Sequence, residues 1–271
     1  MNNPAYVLGH SDREISRLKV QARLLEPATR QFFREAGIVA GMRVLDIGSG
    51  AGDVAFLAAD LVGASGEVVG SDTAAAAVLA ATRGADDRGL RNVSFREGNA
   101  AHMIFDRPFD AAVGRYVLLF QANPVEMLRR IARLVRAGGL VVFHEPDWVS
   151  ARSIPPAPTY DRCCGWIRDT FQLAGTDSDM AGKLYTIFMS AGLQAPSMRM
   201  STFIGGGPAC SDFLQAVADL IDILLPTMER QGITTASEVA VATLAERLRQ
   251  EVTANASVII GRSEVGAWTR V

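Results

Sequence analysis

The amino-acid sequence predicts an α/β fold: a mostly parallel sheet covered by helices on both faces, with a helical cap added. Three observations carry this. Apolar strand-like runs alternate with amphipathic helical stretches through the first 150 residues. A glycine-rich turn follows the first of these runs, and acids or amides end the strands after it. Alternation of this kind implies right-handed crossovers and a buried parallel sheet.

The elements follow in order. Ser11 with Glu14 forms a capping box, and Ile15, Leu18, Val20 and Leu24 continue a helical apolar pattern. A second helix is expected over Pro27–Ala36. The run Met42–Gly48 reads as a buried strand, and Asp53–Leu61 as the helix after it. Glu67–Asp72 is the second strand, and an Ala-rich helix spans Ala74–Asp87. Strands are expected over Asn92–Gly98 and Phe109–Tyr116. Asn123 as N-cap, Pro124 at N1 and Glu126 reaching back start a helix that Gly138 stops. The stretch "GGLVVFHEPDWVS" supplies the fifth strand and its exit. After the connector "SIPPAP", helices are expected at about Thr159–Ala174 and Asp179–Ala191, and a sixth strand at Pro196–Phe203. Two amphipathic helices then carry Phe213–Leu224 and Val239–Val252, and "SEVGAWTRV" forms a last strand.

Composition narrows the function. Apolar residues make up 49% of the 271 residues, as in a globular chain, and the formal charge is only −2. The cations are almost all Arg and are scattered, so neither a nucleic-acid partner nor an anionic membrane is expected. No apolar run approaches the roughly 20 residues that span a bilayer. The N-terminal stretch lacks the pattern of a secretory signal, so a cytoplasmic location is expected. Cys163, Cys164 and Cys210 have neither zinc nor disulfide spacing and read as reduced thiols. His144, Glu145 and Asp147 sit close together, but on an extended segment they point in different directions, and no metal site is expected.

The informative motif is "VLDIGSGAGD", Val44–Asp53. Gly48, Gly50 and Gly52 let the chain turn tightly and let a ligand approach the backbone N–H groups. The spacing is G-x-G-x-G, not the G-x-G-x-x-G of dinucleotide enzymes. Asp46, two residues before the first glycine, suits a ligand with an ammonium group. Asp72 ends the second strand, where an acid accepts from ribose hydroxyls. Asn99 ends the third and can read an adenine edge. A ribose, an adenine and an amino-acid tail together describe S-adenosylmethionine.

On these residues the chain resembles the class I S-adenosylmethionine-dependent methyltransferases, in particular the small-molecule group that includes the ubiquinone/menaquinone-biosynthesis enzymes. "VLDIGSGAG", "VVGSD", "GNAAHMIF", "FDAAVGRYVLLF" and "LRRIARLVRAGGLVVFHEP" carry the resemblance over about Val39–Glu145. Asn99 departs from it, standing where the family usually has Asp. The resemblance implies a Rossmann-like, seven-stranded sheet whose last strand is antiparallel. It also suggests that the N-terminal segment closes over the cofactor.

The expected cofactor-binding residues are Tyr6, Gln21, Asp46, Gly48, Ser49, Gly50, Gly52, Asp72, Thr73, Asn99, Ala100 and Arg115. His10, Tyr116, Asp147 and Trp148 are candidates for the acceptor pocket. His144, at a strand end on the ligand side, is the candidate general base. The expected reaction is methyl transfer from S-adenosylmethionine to a small, partly apolar O, N or C nucleophile. A non-methylating or purely binding role on the same fold is the alternative, and a nicotinamide oxidoreductase is disfavoured by the loop spacing. The expected organisation is N-terminal cap helices over 1–38, a core over 39–204, a helical lid over 205–256 and a final core strand over 257–271. A homodimer is possible.

Overall fold

The computed structural model describes the backbone of residues 12–271 and the side chains of residues 24–271. The elements run α1 (Asp12–Ala36), β1 (Arg43–Ile47), α2 (Asp53–Val62), β2 (Glu67–Asp72), α3 (Ala75–Asp87), β3 (Val93–Glu97), β4 (Phe109–Arg115), α4 (Pro124–Ala132) and β5 (Val135–Asp147). They continue with β6 (Arg152–Ile154), α5 (Pro158–Leu173), α6 (Met180–Ser190), β7 (Ser197–Gly206), α7 (Ser211–Arg230), α8 (Ala236–Val239), α9 (Val241–Ala254) and β8 (Val258–Arg270).

The sheet has eight strands in the order β3-β2-β1-β4-β5-β8-β6, with β7 also paired to β8. Strands β1 to β5 pair in parallel, and β6 runs antiparallel to β8. All five residues of β1 are buried, as a central strand covered on both faces requires. The eighth strand, beyond the seven expected, is β6. It overlaps the start of the stretch read as an extended connector, and three residues are too few to show a period.

Three local expectations need correction. Pro27 does not begin a helix but lies inside the continuous helix α1. Its missing N–H costs one ladder bond, and the apolar face of α1 (Leu25, Phe32, Phe33 and Ala36 are buried) holds the helix together. Helix α4 ends at Ala132, well before Gly138. Leu134 and Val135 keep the helical period by chance, but Val135 already pairs with Phe109 in β5. The register then slips so that Ala111 faces Leu140, and Gly138, at φ 73°, absorbs the slip. At the other end of α4, Asn123 Oδ1 accepts the Glu126 N–H at 3.0 Å as expected. The Glu126 carboxylate instead pairs with Arg129 and Arg130, at 2.6 and 2.8 Å, and does not reach back. Ser11, the expected cap of α1, lies outside the described residues.

The described chain divides into two compact units. One comprises Ala22–Glu145, Ala181–Arg199 and Val265–Val271. Its core sets Phe33, Val54, Leu57 and Val62 against Val44, Val68, Val113 and Val142 of the sheet. The other includes Pro146–Met180 and Met200–Glu264. Its core joins Tyr160 and Ile167 of α5 to Leu214, Ile221 and Leu224 of α7 and Leu248 of α9. No helix among the described residues is long and apolar enough to cross a membrane.

Candidate cofactor and acceptor site

The first unit brings the C-terminal ends of β1, β2, β4 and β5 to one edge of the sheet. At β1 the chain leaves Ile47 through Gly48, Gly50 and Gly52, with φ of 64°, 52° and 94°. These left-handed conformations suit glycine. The three glycines differ in their surroundings. A Cβ on Gly52 would lie 2.7 Å from Phe56 Cζ, and one on Gly48 would lie 3.0 Å from Val117 Cγ2. A Cβ on Gly50 would meet nothing within 4 Å. Packing therefore requires a glycine at 52 and disfavours any side chain at 48, whereas Gly50 borders open space at the head of α2. That is the cradle that a close-approaching ligand needs.

Two acids bracket this loop. Both carboxylate oxygens of Asp72 accept backbone N–H groups: Gly50 at 2.9 Å and Ala74 at 2.9 Å. Asp72 thus braces the glycine loop, and each oxygen keeps a second lone pair for a ligand hydroxyl. Asp46 is 1% exposed; a weak contact from the Ala55 N–H reaches its carboxylate, but neither oxygen makes a well-formed hydrogen bond. Burial pushes its carboxyl well above the usual range, and the Arg115 cation only partly opposes this. Ser49 Oγ and Ser71 Oγ are also buried and unpartnered. Such groups cost about 1–3 kcal/mol each when left unsatisfied. The orphaned oxygens of Asp46 and Ser49, on either side of Gly48 at the start of the open glycine loop, fit a ligand rich in donors, such as an ammonium group and ribose hydroxyls.

Asn99 caps the turn Ala100–His102, its Oδ1 accepting the Ala101 N–H at 3.0 Å. Its amide N–H groups and second lone pair are what it offers an adenine edge. Ala100 is buried and Thr73 is exposed just past β2.

The ends of β4 and β5 meet side by side, Arg115 opposite His144. Tyr116 follows at φ 59°, unusual for a bulky residue, and its N–H donates to the His144 carbonyl at 2.9 Å. The His144 ring is fully buried, edge-on to Phe32 at 5.0 Å and to Tyr116 at 5.7 Å between centroids. Its Nδ1 lies 3.1 Å from Thr29 Oγ1. Glu145 faces elsewhere, as strand alternation requires. Its Oε1 accepts the N–H groups of Val117 and Leu118 at 2.9 and 2.8 Å, and Oε2 that of Leu119 at 3.4 Å. A carboxylate over the start of the 3₁₀ turn Leu118–Phe120 fixes the loop that packs on Gly48.

Asp147 and Trp148 belong to the second unit. Asp147 Oδ1 accepts the Val149 N–H at 2.7 Å, and Trp148 is 3% exposed beneath the Arg262 guanidinium. Tyr6, His10 and the Gln21 side chain lie outside the described residues. No group of three or more His, Cys, Asp or Glu among the described residues could hold a metal ion. Sequence reasoning missed Thr29 and the loop-anchoring part of Glu145. Thr29 gave no signal, because α1 reaches His144 only in the fold. A buried acid at the end of an apolar run was the available sign for Glu145.

Comparison with known proteins agrees with this geometry. A family model described as a methyltransferase domain matches residues 38–192. An arsenite methyltransferase of Aquipseudomonas alcaligenes is 30% identical over 236 residues, covering 74% of this chain and 67% of that protein. Aklanonic acid methyltransferase DauC of Streptomyces sp. is 40% identical over 109 residues, covering 40% of this chain and 50% of that protein. The match thus spans only half the length of this relative. Among solved structures, the [4+2]-cyclase SpnF shares the fold at a TM-score of 0.54 and 21% identity, over 91% of this chain and 81% of that one. The glycine loop, its two acids and the family match over more than half the chain lead to one conclusion: this chain belongs to the S-adenosylmethionine-dependent methyltransferases.

Proposed function

We propose that this protein methylates a small, partly apolar organic acceptor. The observation that carries this reading is the set of unpartnered buried oxygens on Asp46 and Ser49, which bracket a glycine loop that is open at Gly50. When bound, S-adenosylmethionine supplies an electrophilic methyl group on a sulfonium.

The chain's own part is to bind, orient and keep water out. Asp46 receives the ammonium end of the cofactor, which lowers the cost of ionising a carboxylate that burial otherwise keeps protonated. Asp72 accepts from the ribose while holding Gly50 in place, and Asn99 meets the adenine edge. Ser49, Thr73 and Ala100 line these contacts. Arg115 offsets the charge at Asp46 and sits beside the reacting end. His144 is the proton acceptor for an acceptor group that must lose a proton. Tyr116 forms one wall of that pocket, and Asp147 and Trp148 are further candidates for acceptor contacts. Tyr6, His10 and Gln21 are further candidates for contacts to the cofactor or acceptor.

The names of two relatives bear on the choice of acceptor. DauC by its name methylates an organic acid, a chemistry that suits Arg115. Arsenite, the acceptor in the other relative's name, is thiophilic, and the thiols here are unsuited to it. Cys163, Cys164 and Cys210 are at most 1% exposed, and burial pushes the Cys163 and Cys164 thiols up to about 12. Buried unpaired thiols also fit a cytoplasmic setting.

The test has two steps. Calorimetry measures binding of S-adenosylmethionine and S-adenosylhomocysteine. Incubation with S-adenosylmethionine and a panel of phenolic, carboxylic and quinol acceptors is then read by mass spectrometry. Binding with a product one methyl heavier supports the reading, and no binding overturns it. The fold also occurs in a cyclase, which supports a second reading. Binding with an isomerised product of unchanged mass would favour that one.

A further inference from the structure

We propose that Glu145 is a positioning residue of the methyl transfer: its buried carboxylate clamps the exit of β4, so that Tyr116 keeps a left-handed backbone and presents its ring beside His144. The proposal rests on the reading of Tyr116 as a wall of the acceptor pocket, and it names the group that sets that wall.

The backbone at the end of β4 carries the argument. Tyr116 sits at φ 59°. A bulky side chain disfavours this conformation, so the surroundings must impose it. They do so from one neighbouring strand. The N–H groups of Tyr116, Val117, Leu118 and Leu119 all end on β5. The first meets the His144 carbonyl at 2.9 Å, the next two meet Glu145 Oε1 at 2.9 and 2.8 Å, and the last meets Oε2 at 3.4 Å. Glu145 is fully buried. Bonds from N–H groups to a carboxylate are stronger than bonds between neutral groups. Without them the N–H groups that open the Leu118–Phe120 turn lose their acceptor, and Tyr116 relaxes toward an ordinary backbone.

The position of Tyr116 matters to the site as well as to the turn. Its ring lies 5.7 Å from that of His144, with the planes at 71°. Val117, next along, packs its Cγ2 against Gly48. The cofactor loop has braces of its own on β2: the Ser49 N–H donates to the Ser71 carbonyl at 2.9 Å, and the Gly50 N–H to Asp72 at 2.9 Å. Loss of the clamp therefore disturbs the acceptor side and leaves the cofactor side standing. In a reaction whose rate comes from holding an acceptor in line with the methyl group, a shifted wall costs turnover.

The test pairs proton NMR of His144 with turnover, in variants of the full chain. The His144 ring protons are those lost in His144→Gln, and their shift in Tyr116→Leu gives the signature of a missing Tyr116 ring. Glu145→Ala is expected to move the His144 signals in the same direction as Tyr116→Leu. Glu145→Gln, whose one acceptor oxygen can take the place of Oε1, is expected to leave them as in the wild type. On whichever acceptor of the panel is methylated, Glu145→Ala is expected to lower kcat about tenfold or more, with the dissociation constant of S-adenosylhomocysteine within about threefold of wild type and kcat restored to within about threefold in Glu145→Gln. A merely structural part for Glu145 would lower kcat only by the unfolded fraction and would leave the His144 signals unmoved. Either result in a folded Glu145→Ala overturns the proposal. Should Glu145→Ala fail to fold, Glu145→Asp, which keeps the charge and withdraws the oxygens by one methylene, decides by the same two readouts. Methylation of no acceptor would count against the proposed function, and the His144 signals would still decide whether Glu145 holds Tyr116.

Discussion

Asp72 and Gly50 are joined by a 2.9 Å bond from the Gly50 N–H to Asp72 Oδ2, across 22 residues of sequence. The acid at the tip of β2 therefore holds the glycine cradle of β1, in addition to the ribose contact proposed for it. Removing it should do more than delete one ligand contact. Asp72→Ala is expected to weaken S-adenosylhomocysteine binding by about 10- to 100-fold, or ~1.4–2.7 kcal/mol. Asp72→Asn, which keeps one acceptor oxygen, should fall between. Calorimetry checks this, and equal affinities in all three proteins would show that the brace is unnecessary.

The glycines should separate by mechanism. Gly50→Ala places its Cβ in open space, so it should cost only about 1–2 kcal/mol of stability from the left-handed backbone while abolishing cofactor binding. Gly52→Ala collides with Phe56 and should lower the melting temperature more. Thermal melts beside titrations distinguish the two, and a Gly50→Ala protein of full affinity would contradict the cradle.

Asp46 predicts a trade between stability and binding. Its folded carboxyl is raised, chiefly by burial. The unfolded chain therefore ionises at lower pH than the folded one, and the free protein loses stability from this group as pH rises above the ordinary carboxylate range. Asp46→Asn is expected to raise the melting temperature of the free protein at neutral pH, to flatten that pH dependence, and to weaken cofactor binding at least tenfold. A neutral-pH melting temperature below wild type would count against the orphaned-carboxylate account.

Glu145 supports three buried N–H groups. Glu145→Ala should lose about 2–5 kcal/mol in urea unfolding, because the start of the 3₁₀ turn is left without an acceptor. Glu145→Gln, with one acceptor oxygen, should lose less. A loss under about 0.5 kcal/mol for Glu145→Ala would place the loop's stability elsewhere.

The buried thiols should be inert. With Cys163 and Cys164 pushed up to about 12, iodoacetamide at pH 8 should leave the native protein unmodified and label it once it is unfolded. Rapid native labelling would reopen an arsenite acceptor.

The sequence by itself determined the parallel sheet, the glycine turn after β1 and the acids that end the strands. These are local signals: an apolar run, a glycine spacing, an N-cap at Asn123. It also placed Asp46 and Asp72 at strand ends beside the glycine loop, since their placement follows from strand length alone. Other features were decided only by tertiary structure. Val135 keeps a helical period, yet pairing with Phe109 makes it a strand residue. Pro27 reads as a helix start, yet burial of α1 carries the helix through it. The three glycines look equivalent until Phe56 and Val117 are seen beside two of them. His144 and Glu145 look like a pair until pleating sends one to Thr29 and the other to the backbone of Val117–Leu119. Thr29 and His144 are 115 residues apart. Period and spacing report what a residue does along its own element, whereas a partner on another element is set by packing, which no local pattern encodes.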